Sequence, residues 1–254
     1  DIAVKFYNNL IDEMINNDIV PMINLYHFDM PMIYQERGGF LNSEIVELFA
    51  YYAKVCFELF GDRVKYFTTF NEPIVPVEGG YLYNFHYPFR SDMKEAVQVA
   101  YHTQLCSSKA IEIYHSMKLD GKIGIILNLT PSYPKDDEPE NQKASNICDL
   151  FFNRSFLDPS VIGEYPEELI KIIDELKIMP IRYNDDKNIL LNTVDFLGVN
   201  YYQPRRVMAR TSPYEGNKPM PEMFFQEYIM PGRKMNVYRG WEIYEKGIYD
   251  IAVN

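Results

Sequence analysis

Positive charge is short in this chain. Lys and Arg number 25 against 36 Asp and Glu, a formal net charge of −11 over 254 residues. That balance argues against a nucleic acid partner and against binding to an anionic membrane surface. It leaves room for a small anionic ligand, because a local Arg/Lys cluster overrides net charge. No run of about 18 apolar residues occurs, so no membrane span is expected. Cysteine is scarce: Cys56, Cys106 and Cys148 are odd in number and have no short spacing. Neither a zinc pattern nor a disulfide framework follows, and no metal or cofactor is implied. All three lie in stretches with helical character, which reads as buried thiols of a reducing, cytoplasmic compartment. No signal peptide is visible, although the chain opens inside a helical pattern without Met. No Gly-rich phosphate turn follows any strand-like run.

Hydrophobic residues make up 47% of the chain, enough for one large core. There is no internal repeat, low-complexity tract or linker-like shift, so residues 1–254 read as one domain. Phe6, Leu10, Ile11, Met14 and Ile15 recur at helical spacing over 2–16. Ile19 to His27 is a nearly continuous apolar run that suits a parallel strand covered on both faces; Pro21 places its start at Met22. Asn42 or Ser43 caps a helix whose stripe runs from Ile45 to Phe60, with Gly61 ending it. Val64–Phe70 is the next strand, residues 74–90 a loop. Asp92 with Glu95 forms a capping box before a helix over about 93–117. Ile123–Leu129 is a third strand, 134–143 a solvated loop, and 144–156 and 166–177 are helical. Val194–Tyr202 is a fourth strand. Residues 203–240 have no clean period, and Trp241 starts a last helix.

Strands alternating with helices mean a parallel α/β sheet. Polar residues gather where three strands end: His27, Asn71 with Glu72, and Asn200 with Tyr202. The absence of a phosphate turn favours a (β/α)₈ barrel, whose site lies at the C-terminal ends of its strands, over an open doubly wound sheet. Four strands make only part of such a barrel. The central feature is Thr68-Thr69-Phe70-Asn71-Glu72-Pro73. A carboxylate at the tip of a buried strand is costly unless it is paired or used.

Four segments together resemble glycoside hydrolase family 1, in that family's order and spacing. They are Leu25–Pro31, Thr68–Pro73, Phe196–Tyr202 and Gly240–Tyr244. The resemblance covers essentially the whole chain. It implies a partial TIM barrel, roughly strands 3 to 6, and a retaining β-glycosidase with Glu72 as general acid/base. It implies that His27 binds a sugar hydroxyl and Asn71 the 2-hydroxyl, that Asn200 lies in the same cleft, and that Tyr202 reaches the nucleophile. Phe28 stands where the family usually has Trp. That Phe, the segment Gly80–Pro88 and the segment Tyr228–Arg233 are similar to the branch acting on 6-phospho-sugars, so a phosphorylated β-glucoside is the implied substrate. The family's nucleophile segment, Ile/Val-Thr-Glu-Asn-Gly, and its phosphate-binding Ser/Lys/Tyr loop are absent from these residues. The chain therefore reads as a central fragment, inactive alone, and its open edges suit pairing with a copy of itself.

Plainer readings stand beside these. Asp29 before Met30-Pro31 reads as a turn acid; His86, His102 and His115 as structural or surface groups. Arg205, Arg206 and Arg210 read as salt-bridged, with anion binding as the alternative. Glu242 reads as helix-start chemistry favoured by the macrodipole, and Trp241 as packing. Asn128-Leu129-Thr130 and Asn153-Arg154-Ser155 match the glycosylation sequon by chance. A plain β-glucosidase and a non-catalytic sugar-binding remnant are the competing functions.

Overall fold

The computed structural model describes residues 2–253. In chain order the elements begin with α1 (Ile2–Asn16), β1 (Met22–Tyr26), α2 (Met32–Glu36) and α3 (Glu44–Phe60). Next come β2 (Tyr66–Asn71), α4 (Ile74–Val77), α5 (Met93–Ser116), β3 (Lys122–Asn128) and β4 (Ser132–Pro134). Then follow α6 (Pro139–Asp149), α7 (Ser155–Val161), α8 (Glu167–Glu175) and α9 (Tyr183–Asp186). The last are β5 (Phe196–Asn200), β6 (Arg205–Met208), β7 (Gln226–Glu227) and α10 (Lys246–Val253).

The four apolar runs form one sheet in the order β1-β2-β3-β5, every neighbouring pair parallel. One face of the sheet lies under helices. Ile123, Ile125 and Leu127 on β3 are almost fully buried there, beneath α5 and α7. The helix layer is tied to the sheet by rings: Phe49 of α3 stacks on Phe70 at 4.7 Å, and Phe57 meets Phe67 and Tyr114, each at 5.1 Å. Offset and edge-to-face pairs of this kind add to area burial. The opposite, concave face carries Asn24, Thr68 and Phe196. Thr68 Oγ1 donates to Asn24 Oδ1 at 2.9 Å. Gly124 has no side chain because the Phe196 ring lies across it; a Cβ there would stand 2.8 Å from that ring.

The pattern-based boundaries hold for α1, β1, α3 and α5. Asp92 accepts from the backbone N–H of Lys94 and Glu95, as the capping motif predicts. At α3 it is Asn42, through Oδ1 at 3.0 Å from Glu44 N, that satisfies a first-turn donor. Gly61 follows α3 without a left-handed turn, at φ −68°. Cys56, Cys106 and Cys148 are buried free thiols, and burial pushes Cys148 up to about 11.

Several loop expectations are corrected. The stretch 134–143 is not all loop: α6 starts at Pro139, in a first-turn position where a missing N–H costs nothing. The stretch 74–90 contains α4 and a π-helical turn, Glu78–Leu82. The stretch 203–240 supplies two strands of a second sheet, β4-β6-β7. These strands are two to four residues long, too short to show a period. The last helix begins at Lys246, not at Trp241.

Candidate active site

β1, β2 and β5 end at the same edge of the sheet, and the polar residues predicted from sequence meet there. Asn71 Nδ2 donates to His27 Nε2 at 3.2 Å, so that nitrogen acts as the acceptor. Asn200 Nδ2 donates to Asn71 Oδ1 at 3.2 Å and to Glu72 Oε1 at 2.7 Å. Tyr202 lies near Glu72; burial, and then that carboxylate, push its phenol above its ordinary value.

Local backbone explains how Glu72 comes to face this cluster. Thr68 pairs with Gly124, but Asn71 pairs with Ile126, so β2 spends one residue more than β3 between those points. Side chains alternate along a strand. Unbroken alternation would turn Asn71 away from Thr68; the bulge absorbs the extra residue, Phe70 like Thr69 facing the helices, and so keeps Asn71 on the face of Thr68. Thr69 points the other way, to Ser107 of α5 at 2.7 Å. Glu72 then sits at φ +48°, with its N–H on the Ile126 carbonyl at 2.8 Å and its own carbonyl accepting from Val75 N at 2.9 Å. A positive φ on a non-glycine residue costs of order 1–3 kcal/mol and persists where surroundings enforce it. Glu72 is only 8% exposed. Phe28 is also held at positive φ, +74°, and its ring lies between His27 (4.9 Å) and His86 (6.2 Å). Asp29 accepts from the His27 N–H at 3.1 Å, the turn role expected of it.

Sequence reasoning missed three groups. Asn128 is the register partner of Asn200, at the end of β3, and its Oδ1 is buried without a partner among the described residues. Its only sequence signal is a polar residue closing an apolar run. Glu242 is not a helix-start acid. It is 4% exposed and takes Arg206 in a two-pronged pair, Nε to Oε2 at 2.8 Å and Nη2 to Oε1 at 2.7 Å. Glu78 pairs with Arg205; burial pushes its carboxyl above the usual range while Arg205 opposes the shift. Among the described residues Arg210 bonds only backbone carbonyls, of Ser212, Pro213 and Glu222. The three arginines are thus held by protein partners. Trp241 is half-buried against Tyr202, ring centres 5.4 Å apart. His102 is internal, bridging the Phe40 carbonyl and Gln98. His115 meets Asp195 at the far end of the sheet, where β3 and β5 begin. Asn153 is buried and clamps the Thr130 backbone, at 2.8 and 2.9 Å, a structural use for that sequon residue.

The description "Glycosyl hydrolase family 1" matches residues 2–253. The chain belongs to this family. The 6-phospho-beta-glucosidase GmuD of Bacillus subtilis (strain 168) is 59% identical over 256 residues, covering 100% of this chain and 55% of that protein. The 1,4-beta-D-glucan glucohydrolase of Thermotoga neapolitana is 36% identical, over 97% of this chain and 56% of its own length. Among solved structures, the family 1 β-glucosidase from Thermotoga maritima is similar with a TM-score of 0.86 and 33% identity, over 98% of this chain and 53% of that one. The same enzyme with isofagomine lactam gives 0.85. The chain thus spans about half the length of the relatives it matches. Its four-stranded wall is part of a TIM barrel, as the strand-helix alternation implied. Among the described residues no helix is long and apolar enough to cross a membrane.

Proposed function

We propose that the chain forms about half of a single barrel domain of a retaining β-glycosidase acting on 6-phospho-β-glucosides, with Glu72 as general acid/base. The observation that carries this reading is Glu72 itself. It is a buried strand-end carboxyl on a strained backbone, bonded to Asn200, close to Tyr202 and set beside the His27–Asn71 pair. In the first half-reaction Glu72 gives its proton to the glycosidic oxygen as the C1–O bond breaks. A second carboxylate, supplied from outside residues 1–254, bonds to C1. In the second half-reaction the Glu72 carboxylate takes a proton from water, whose oxygen displaces the nucleophile and restores both acids. This chemistry requires the two carboxyls about 5–5.5 Å apart. His27, Asn71 and Asn200 offer donors and acceptors to the ring hydroxyls, with Asn71 placed for the 2-hydroxyl.

Support for a phosphorylated substrate is Phe28, the segment Tyr228–Arg233 and the name of the 59% identical relative. The 36% and 33% relatives named as glucan and glucoside hydrolases favour the plain β-glucosidase as second reading. A site built for a phosphate leaves its cations unpaired when a plain 6-hydroxyl enters, which strongly disfavours that substrate. The test is kcat/KM of the full-length protein for p-nitrophenyl β-glucoside and for its 6-phosphate. A large preference for the phosphate is expected; equal values would select the second reading. Sugars phosphorylated during uptake lie in the cytoplasm, and the three unpaired thiols agree with that compartment.

A further inference from the structure

The end of the sheet far from Glu72 holds a polar cavity of about 370 Å³, within the range of small-molecule sites. It lies where α5 ends and where β3 and β5 begin. Tyr114 and His115 of α5, Lys118 and Gly121 of the turn after it, Lys122 of β3 and Asp195 line it.

The acidic groups at this end are already satisfied. Asp195 Oδ1 accepts from His115 Nε2 at 3.1 Å, and Oδ2 accepts from the Ile123 N–H at 2.8 Å. The Asp195 N–H donates to the Ile123 carbonyl at 2.8 Å, so this residue clamps the start of β5 to the start of β3. Asp120, in the same turn as Lys118, pairs with Lys65 at 3.2 Å and stands outside the lining.

Three donors are not satisfied. The Lys118 and Lys122 ammonium groups have no acceptor among the described residues. Tyr114 is 2% exposed, and its hydroxyl is buried with no partner among the described residues. That hydroxyl lies against Gly121: a Cβ there would stand 2.5 Å from it, so a glycine is what leaves it room. Burial, with Asp195 and Asp120 nearby, pushes the phenol above its ordinary value, so it stays protonated and able to donate. Two lysines after a helix C-terminus are ordinary, since cations suit that end of the dipole. A buried hydroxyl without a partner is not, because it carries the full desolvation cost of an unmade bond.

The surplus of donors, two of them positive, selects a ligand that is anionic and only accepts. The donors come from α5, from the turn after it and from β3. Three acceptor oxygens on one centre serve them better than the two of a carboxylate. The net charge of −11 does not oppose such a ligand at close range, because exposed charges are screened beyond about 8–10 Å at ordinary salt. We propose that this cavity binds a phosphate group, as the free ion or as a monoester. Bound there, the phosphate ties the end of α5 to the first residue of β3 and gives the Tyr114 hydroxyl its acceptor. Glu72 and its chemistry play no part in this binding.

The test uses the full-length protein at constant ionic strength, with inorganic phosphate and glucose 6-phosphate as probes. Isothermal titration and thermal unfolding are the readouts, because a ligand that binds only the folded state raises Tm. Lys118→Ala with Lys122→Ala should weaken binding about tenfold or more, as expected for lost charge-assisted bonds. The same double variant should leave kcat/KM for p-nitrophenyl β-glucoside 6-phosphate unchanged. Tyr114→Phe separates a ligand site from a packing defect. In both cases the variant is at least as stable as the parent without phosphate; only a ligand site makes it gain less Tm than the parent when phosphate is added. Binding of inorganic phosphate lost in the variants identifies the free ion, and a loss confined to glucose 6-phosphate identifies the monoester; either supports the site. No rise in the parent, an equal rise in the parent and both variants, or a rise reproduced by sodium chloride at matched ionic strength overturns the proposal.

Discussion

Asn200 Nδ2 stands 2.7 Å from Glu72 Oε1, and the two residues stand at the ends of strands that are not neighbours. β3 runs between β2 and β5, and the Asn200 side chain reaches across its end. The bond therefore does for the site what no ladder bond does: it fixes the acid against a strand two places away. A hydrogen bond to a charged group contributes about 1.5–3 kcal/mol. Asn200→Ala in the full-length protein should lower kcat/KM for a 6-phospho-β-glucoside about 10- to 100-fold. A loss below threefold would mean that Glu72 is positioned by other contacts.

Removing the acid itself should cost more. General acid/base catalysis contributes about 10²–10⁴-fold. Glu72→Gln should lower kcat by that factor on a substrate with a poor leaving group. It should lower it less on p-nitrophenyl glycosides, whose leaving oxygen needs little protonation. Equal losses on both would argue against proton donation by Glu72.

The pair Arg206–Glu242 predicts a stability effect. Both side chains are at most 10% exposed, and Arg206 also lies over the rings of Tyr133 and Tyr244. Deleting one partner leaves the other charge buried alone, at a cost of about 3–5 kcal/mol. Glu242→Ala should therefore lower the urea midpoint markedly. The double change Arg206→Met with Glu242→Leu should recover much of the loss. A Glu242→Ala protein as stable as the parent would show that water reaches the pair.

His102 sets a pH dependence. Burial lowers its pKa, partly offset by the Phe40 carbonyl that accepts from Nδ1. A base with a folded pKa below its unfolded value of about 6.5 binds more protons when unfolded. Its contribution is complete above that value and is lost as pH falls toward the folded pKa. Stability measured by urea between pH 7.5 and 5 should fall, and His102→Asn should flatten that fall. An identical slope in the variant would assign the effect to other groups.

The 254-residue chain alone should show no useful turnover of an aryl β-glucoside 6-phosphate. One carboxyl supplies only part of the catalysis. Among the described residues the sheet edges at β1 and β5 are unpaired, and Met22 and Tyr66 on the concave face are 53% and 39% exposed. Open edges and apolar surface of this kind promote association. Light scattering should show assemblies, not monomers. Robust turnover abolished by Glu72→Gln would place a nucleophile within residues 1–254.

The strands of the barrel wall were legible because parallel strands buried on both faces leave continuous apolar runs, as in Ile123–Leu127. Glu72 was legible because a Pro follows it and an aromatic run precedes it. The features that stayed hidden depend on distance along the chain. Glu242 finds Arg206 only 36 positions earlier, and nothing beside Glu242 announces it. Strands β4 and β7 have three and two residues, below the length at which alternation can be seen. Asn128 looks like any polar residue closing a strand until its register with Asn200 is known.

The extra residue in β2 has a consequence for how this segment can change over time. Substitutions at Thr69 or Phe70 alter packing but leave Glu72 on the concave side. Loss of Thr69 or Phe70 is a different event. Plain alternation would still hold Asn71 on the face of Thr68, but one of two successive side chains turned to the helices, Thr69 on Ser107 or Phe70 on Phe49, would be gone. The bulge lets β2 grip the helix layer at two adjacent positions, where a regular strand offers one.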